Sequence, residues 1–118
     1  MFNFEKLDVW RKAIDFADLV YSSTRSFPAE ERFGLTNQMR RAAVSISSNI
    51  AEGCSRTSKT DFARFLEIAT GSVFEVVSEA FVGRRQKFLD EKTFHPMYEA
   101  AQEQSRMLTG LRKSLFRK

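Results

Sequence analysis

The sequence predicts an all-α fold: one antiparallel up-down four-helix bundle that assembles as a homo-oligomer. Three observations carry this expectation. Apolar residues recur in steps of three and four through four long segments, no stretch alternates with the period of a strand, and the breaks between segments are short. A chain of 118 residues suits a single domain, spanning 1–118, that buries a sizeable core without disulfides.

In the first segment Leu7, Trp10, Ile14, Ala17 and Tyr21 share one helical face. The helix is expected from Asp8, as its cap, to Ser26, where Phe27-Pro28 stops it because proline disfavours helical geometry before it. Val9, Phe16 and Val20 form a further apolar row on the same helix. Pro28-Ala29-Glu30-Glu31 reads as a helical first turn, with acids at the positive end of the dipole, and Gly34 resets it.

The second helix carries Leu35, Met39, Ala43, Ile46 and Ile50 on one stripe, and Gly53 follows as a left-handed C-cap. Beside that stripe run Gln38, Ala42, Ser45, Asn49 and Glu52, which either hydrogen-bond across a close helix contact or form a weakly polar surface strip. Thr57 or Ser58 caps the third helix, and its core stripe is Phe62, Phe65 or Leu66, Ala69, Val73, Val76 and Ala80. A second row, Phe74, Val77, Phe81 and Phe88, makes the apolar arc wider than one neighbouring pair requires, which together with Val9, Phe16 and Val20 predicts contact with another subunit. Gly71 in mid-helix reads either as a place where another backbone approaches or as a neutral substitution.

The last helix is read from Phe94, Met97 or Tyr98, Ala101, Leu108, Leu111 and Leu115, capped by Asp90 or Thr93. Pro96 then predicts a kink or a break near His95. The N-terminal MFNFEKLDVW has acids where a secretion signal has an apolar core. No stretch reaches the roughly 20 apolar residues of a membrane span, so a cytoplasmic protein without a membrane role is expected.

Chemistry-bearing residues are sparse. Cys54 and His95 are the only cysteine and histidine, and neither has an obvious catalytic partner, so no enzyme activity, metal or cofactor is expected. Glu75 and Glu79 lie four apart and could share a proton or a cation; pairing with Arg41 or Arg40 is the simpler reading. Arg41, Asn49, Glu52, Glu75 and Glu79 are therefore assigned to a structural polar network.

The net charge of +4 is unevenly placed. Arg40, Arg56, Lys59 and Arg64 surround the second connection, Arg84, Arg85 and Lys87 follow the third helix, and LRKSLFRK adds Arg112, Lys113, Arg117 and Lys118. The first seven are the candidate nucleic-acid-binding residues, because clustered lysines and arginines release counterions from a phosphate backbone. No zinc finger, RNA-recognition signature or basic zipper accompanies them, and the phenylalanines sit mostly at core spacing, so sequence-specific readout is not expected.

The segments LDVWRKAIDFADLVY, FPAEERFGLTNQMRRAAVSISSNIAEG, FARFLEIATGSVFEV and LRKSLFRK together resemble the four-helix-bundle family named for proteins encoded in intervening sequences of bacterial 23S ribosomal RNA genes. The resemblance covers nearly the whole chain, and RRAAVSISSNIAEG is its most specific part. That family is similar to the accessory variability protein of diversity-generating retroelements, which implies a homopentamer, basic surfaces used with nucleic acid and a reverse transcriptase as protein partner. The retroelement role itself does not carry over, since one chain displays no reverse transcriptase context. Ser55 stands where the family commonly has glycine, Lys87-Phe88 where a glycine-tyrosine turn is usual, and Pro96 in place of a helix former. The expected function is a non-enzymatic scaffold that binds RNA or DNA backbone without strong sequence preference; the alternative is a protein–protein assembly module.

Overall fold

Four helices, Asp8–Thr24 (α1), Leu35–Cys54 (α2), Lys59–Arg85 (α3) and Glu91–Ser114 (α4), make up the computed structural model, which describes residues 1–117. Lys118, counted in the basic tail, lies outside them. Short 3-10 turns at Asn3–Lys6 and Ala29–Glu31 precede α1 and α2, and there is no strand among the described residues. Each helix packs on two others, α1 on α2 and α4, and α3 on α2 and α4, forming a four-helix bundle of 48 × 22 × 21 Å. No helix among the described residues is long and apolar enough to cross a membrane.

The core comes largely from the predicted stripes of α2, α3 and α4. Met39, Ala43, Ile46 and Ile50 meet Leu66, Ala69, Val73 and Val76, and Phe94, Met97, Ala101 and Leu108 close the centre. Both members of the pair Phe65 and Leu66 are buried, whereas Met97 rather than Tyr98 fills the core position of α4.

On α1 the buried face differs from the expected one. Val9, Ala13, Phe16, Ala17 and Val20 are buried, while Ile14 and Tyr21 are exposed and Trp10 turns toward the N-terminal 3-10 turn, its ring centroid 4.9 Å from that of Phe4. Two adjacent apolar rows compete on this helix, and Phe4 holds one of them at the periphery. Val9, Phe16 and Val20 therefore belong to the chain's own core and contribute nothing to a subunit contact. Asp8 is the first residue of α1 rather than its cap, pairs with Arg11, and the helix stops at Thr24, whose hydroxyl bonds back to the Val20 carbonyl at 2.8 Å.

Gly53 is not a left-handed cap, since it lies within α2 and is buried. A Cβ there would sit 2.7 Å from Cδ1 of Phe62 and 3.1 Å from Cβ of Phe65, so its missing side chain lets the start of α3 close on the end of α2. Ser55 has φ −80°, which any residue adopts, so that turn needs no glycine. Ser58 caps α3 by accepting from the Asp61 amide at 3.1 Å. A Cβ at Gly71 would meet nothing within 4 Å, so no contact inside the chain requires glycine there.

The turn after α3 does carry a conformational cost. Lys87 has φ 65°, and the Phe88 N–H bonds to the Gly83 carbonyl at 2.8 Å. Holding a lysine in this left-handed conformation costs about 1 kcal/mol relative to glycine. Asp90 caps α4 by accepting from the Thr93 amide at 2.9 Å, and the Thr93 side chain first, then this amide, hold its carboxyl below the usual carboxylate range. The helix then runs without a break through Pro96 to Ser114. Six residues past the cap, proline removes one backbone hydrogen bond, which the tertiary packing of Phe94, Met97 and Ala101 outweighs.

Two contacts place the ends of the bundle. Phe27, between α1 and α2, meets Phe88, between α3 and α4, at 5.5 Å between centroids. Asn3 Nδ2 donates to the Cys54 carbonyl at 2.9 Å, bringing the N-terminal turn to the α2–α3 connection.

Candidate nucleic-acid interface

The basic residues separate into two groups. Lys59 and Arg85 are the first and last residues of α3, so about 39 Å of helix lies between them at 1.5 Å per residue. At the α2–α3 connection, Arg56 and Arg64 both lay their guanidinium groups over the ring of Phe65, at 4.6 and 5.0 Å from its centroid. Phe65 is buried beneath them, so a core residue holds two exposed charges in place. Glu52 lies 3.9 Å from Arg56 and Asp61 lies 3.8 Å from Arg64, long ion pairs whose side chains stay exposed to solvent.

The C-terminal end of α4 joins this group. Arg112 Nη1 pairs with Glu67 Oε1 at 3.1 Å, and Arg112, Lys113 and Phe116 line an open depression of about 570 Å³ with Thr60, Asp61, Ala63, Arg64 and Glu67. Arg112 and Lys113 belong to the basic C-terminal cluster of the sequence but not to the seven candidate residues, because clustering along the chain does not reveal which helix end folds back beside which.

In the other group one of the three bases is paired. Arg84 is bonded to Glu91 at 2.5 Å and lies 4.7 Å above the Phe94 ring, while Arg85 and Lys87 remain exposed. Arg40 belongs to neither. Its Nε donates to Thr24 Oγ1 at 3.0 Å, its Nη2 to the Tyr21 carbonyl at 3.3 Å, and it lies 4.6 Å over the Tyr21 ring. These bonds fasten α2 to α1 and withdraw Arg40 from the ligand-facing set.

That placement also removes Arg40 as the partner of Glu75 or Glu79. Arg41 is exposed, and among the described residues neither glutamate forms an ion pair. Oε1 of Glu79 is closed off from solvent and accepts no hydrogen bond. Burial first, then the negative charge of Glu75, push the Glu79 carboxyl up from its ordinary 4.5 to about 7.

Because the folded state holds the Glu79 proton more tightly than the unfolded chain, the resulting stability is complete below pH 4.5 and is lost as pH rises through about 7. Glu79→Gln is expected to flatten this pH dependence and to stabilise the protein by at most about 1 kcal/mol at alkaline pH, where the half-buried native carboxylate keeps one oxygen closed off and unpaired. Urea midpoints on either side of neutrality check it; parallel pH profiles for the two proteins would contradict it.

The remaining network residues also act differently from expectation. Asn49 Nδ2 bonds within α2, to the carbonyl and hydroxyl of Ser45 at 2.8 and 3.0 Å. Ser45 and Ser72 hydroxyls meet at 3.0 Å, and Ser72 donates to the Ile68 carbonyl at 3.3 Å. Because Ser72 gives its one proton to Ile68, Ser45 donates to Ser72, so the link between α2 and α3 is made by two serines, with Asn49 bonded to Ser45 alone. Arg41, Asn49 and Glu52 line an open depression over α1 and α2. Burial pushes the Cys54 thiol up, lowering its thiolate fraction at neutral pH. Among the described residues no cluster of three or more His, Cys, Asp or Glu side chains is arranged to hold a metal.

Residues 5–110 match the 23S rRNA-intervening sequence protein family. The chain belongs to that family. No curated protein matches it. Among solved structures, this 23S rRNA-intervening sequence family member is similar to a protein of unknown function from the S23 ribosomal protein family of Bacteroides thetaiotaomicron, with a TM-score of 0.79 and 22% identity. The similarity covers 89% of this chain and 98% of that one and establishes a shared fold.

Proposed function

We propose that this protein is a non-enzymatic, cytoplasmic homo-oligomer of antiparallel up-down bundles that holds RNA or DNA by its backbone with little sequence preference. The observation that carries this reading is the gathering of Arg64, Arg112 and Lys113 from two helix ends around one open depression, with Lys59 and Arg56 at the adjoining start of α3 and its connection. The two end contacts, Phe27 with Phe88 and Asn3 with Cys54, support the up-down order. Fluorescence anisotropy with unrelated oligonucleotides tests the reading: their affinities should agree within about threefold, since phosphate contacts carry no sequence information. Tight binding to one sequence alone would reject it.

The assembly rests on a different surface. Phe74 and Phe81 of α3 are 65% and 47% exposed and, with Val77 and Tyr98, line an apolar groove of about 360 Å³ between α3 and α4. Covering one such ring contributes about 1.5–3 kcal/mol. Light scattering after size-exclusion chromatography at micromolar concentration is expected to give several times 13.6 kDa, and Phe81→Asp to lower that mass. Five subunits is the number favoured by the resemblance to accessory variability proteins. A monomeric mass at every dilution would exclude the homo-oligomer. The same groove supports the second reading, a protein–protein assembly module, for which a reverse transcriptase is one candidate partner.

A further inference from the structure

Phe116 is apolar and 56% exposed, yet it stands beside bases rather than in the apolar groove of α3 and α4. Its ring lines the same depression as Arg64, Arg112 and Lys113, with Arg117 next in the chain. In that depression the guanidinium of Arg64 is already held over Phe65, 5.0 Å from its centroid. A charged groove that tracks phosphates, with an exposed ring on which a base can stack, is the chemistry by which proteins hold unpaired strands. A duplex offers its phosphates but keeps its base faces stacked inside, so it could use the basic side chains of the depression and not the ring.

We infer that the depression at the start of α3 is a single-strand site, with Phe116 as the stacking platform and Lys113, Arg112 and Arg64 as the phosphate contacts. This rests on the nucleic-acid reading above and narrows its ligand to unpaired RNA or DNA. Stacking and charge read neither the ribose nor the base identity, so both kinds of strand fit.

The test uses the full chain and four labelled probes of one sequence: single-stranded RNA, single-stranded DNA and the two corresponding duplexes. Both single strands are expected to bind alike and several-fold more tightly than either duplex. Phe116→Ala is expected to weaken both single strands by roughly fivefold or more while leaving the duplexes unchanged, as removal of one stacked base requires. Phe33→Ala removes a ring that is 88% exposed in the α1–α2 connection and should leave all four affinities unchanged. Both rings are on the surface, so neither variant threatens folding. Equal affinity for strands and duplexes, binding of RNA alone, or equal losses on Phe116→Ala and Phe33→Ala would each overturn the single-strand assignment while leaving backbone binding standing. No binding of any probe at low salt would overturn both.

Discussion

Phe16→Ala is expected to lower the unfolding free energy by about 3–5 kcal/mol, whereas Ile14→Ala lowers it by less than about 1 kcal/mol. Phe16 is 2% exposed and sits in the common core, so its removal deletes a large buried ring and leaves a cavity that rigid neighbours fill only in part. Ile14 is 37% exposed, and shortening it removes surface packing alone. Equilibrium urea denaturation of the two variants compares them directly, with an unchanged slope showing that each stays two-state. Equal losses, or a larger loss for Ile14→Ala, would mean that α1 is rotated from the position described.

The second large effect is electrostatic. Lys59→Glu with Lys113→Glu is expected to weaken oligonucleotide binding at least about tenfold at low salt and to reduce the dependence of log K on log salt by about 2, one for each phosphate no longer neutralised. Arg85→Glu with Lys87→Glu reverses as many charges at the far end of α3 and should change affinity by less than about threefold. Lysines suit this comparison because Arg56 and Arg64 also pack on Phe65, so reversing them disturbs the fold as well as the field. Anisotropy titrations at several salt concentrations separate the outcomes. Equal losses from both pairs would show that net charge, rather than the gathered site, governs binding.

How much of this was legible in the sequence varies by element. The stripe of α2 stands beside a more polar row, so its periodicity identifies the buried face, and Ser58 and Asp90 announce two helix starts by a side-chain acceptor three residues before the amide each one bonds. On α1 two apolar rows lie side by side, and only the tertiary contact of Trp10 with Phe4 decides between them. Gly53 read as a cap because glycine often ends helices, but its reason is the ring of Phe62, a contact that a chain cannot display before it folds.

The candidate site was less legible still. Arg40 and Arg41 are indistinguishable as sequence, yet a turn of 100° between them puts the first on Tyr21 and the second in solvent. Arg112 and Lys113 join the site only through the pairing of α4 with α3. Five of the twelve phenylalanines, Phe2, Phe33, Phe74, Phe81 and Phe116, are exposed; Phe74 and Phe81 lie in the row read as facing another subunit, whereas Phe2, Phe33 and Phe116 stand in no apolar stripe of the sequence. Helical period alone does not say how many faces a bundle covers.

Whether the gathered basic surface binds nucleic acid through its phosphates is read from the salt dependence of binding by the unaltered protein. Anisotropy of an arbitrary labelled oligonucleotide, titrated between about 50 and 200 mM salt, should give measurable binding at the low end and a straight decline of log K against log salt with a slope of about −3 or steeper. Absence of binding at about 50 mM, or an affinity that does not change across this range, would contradict the account.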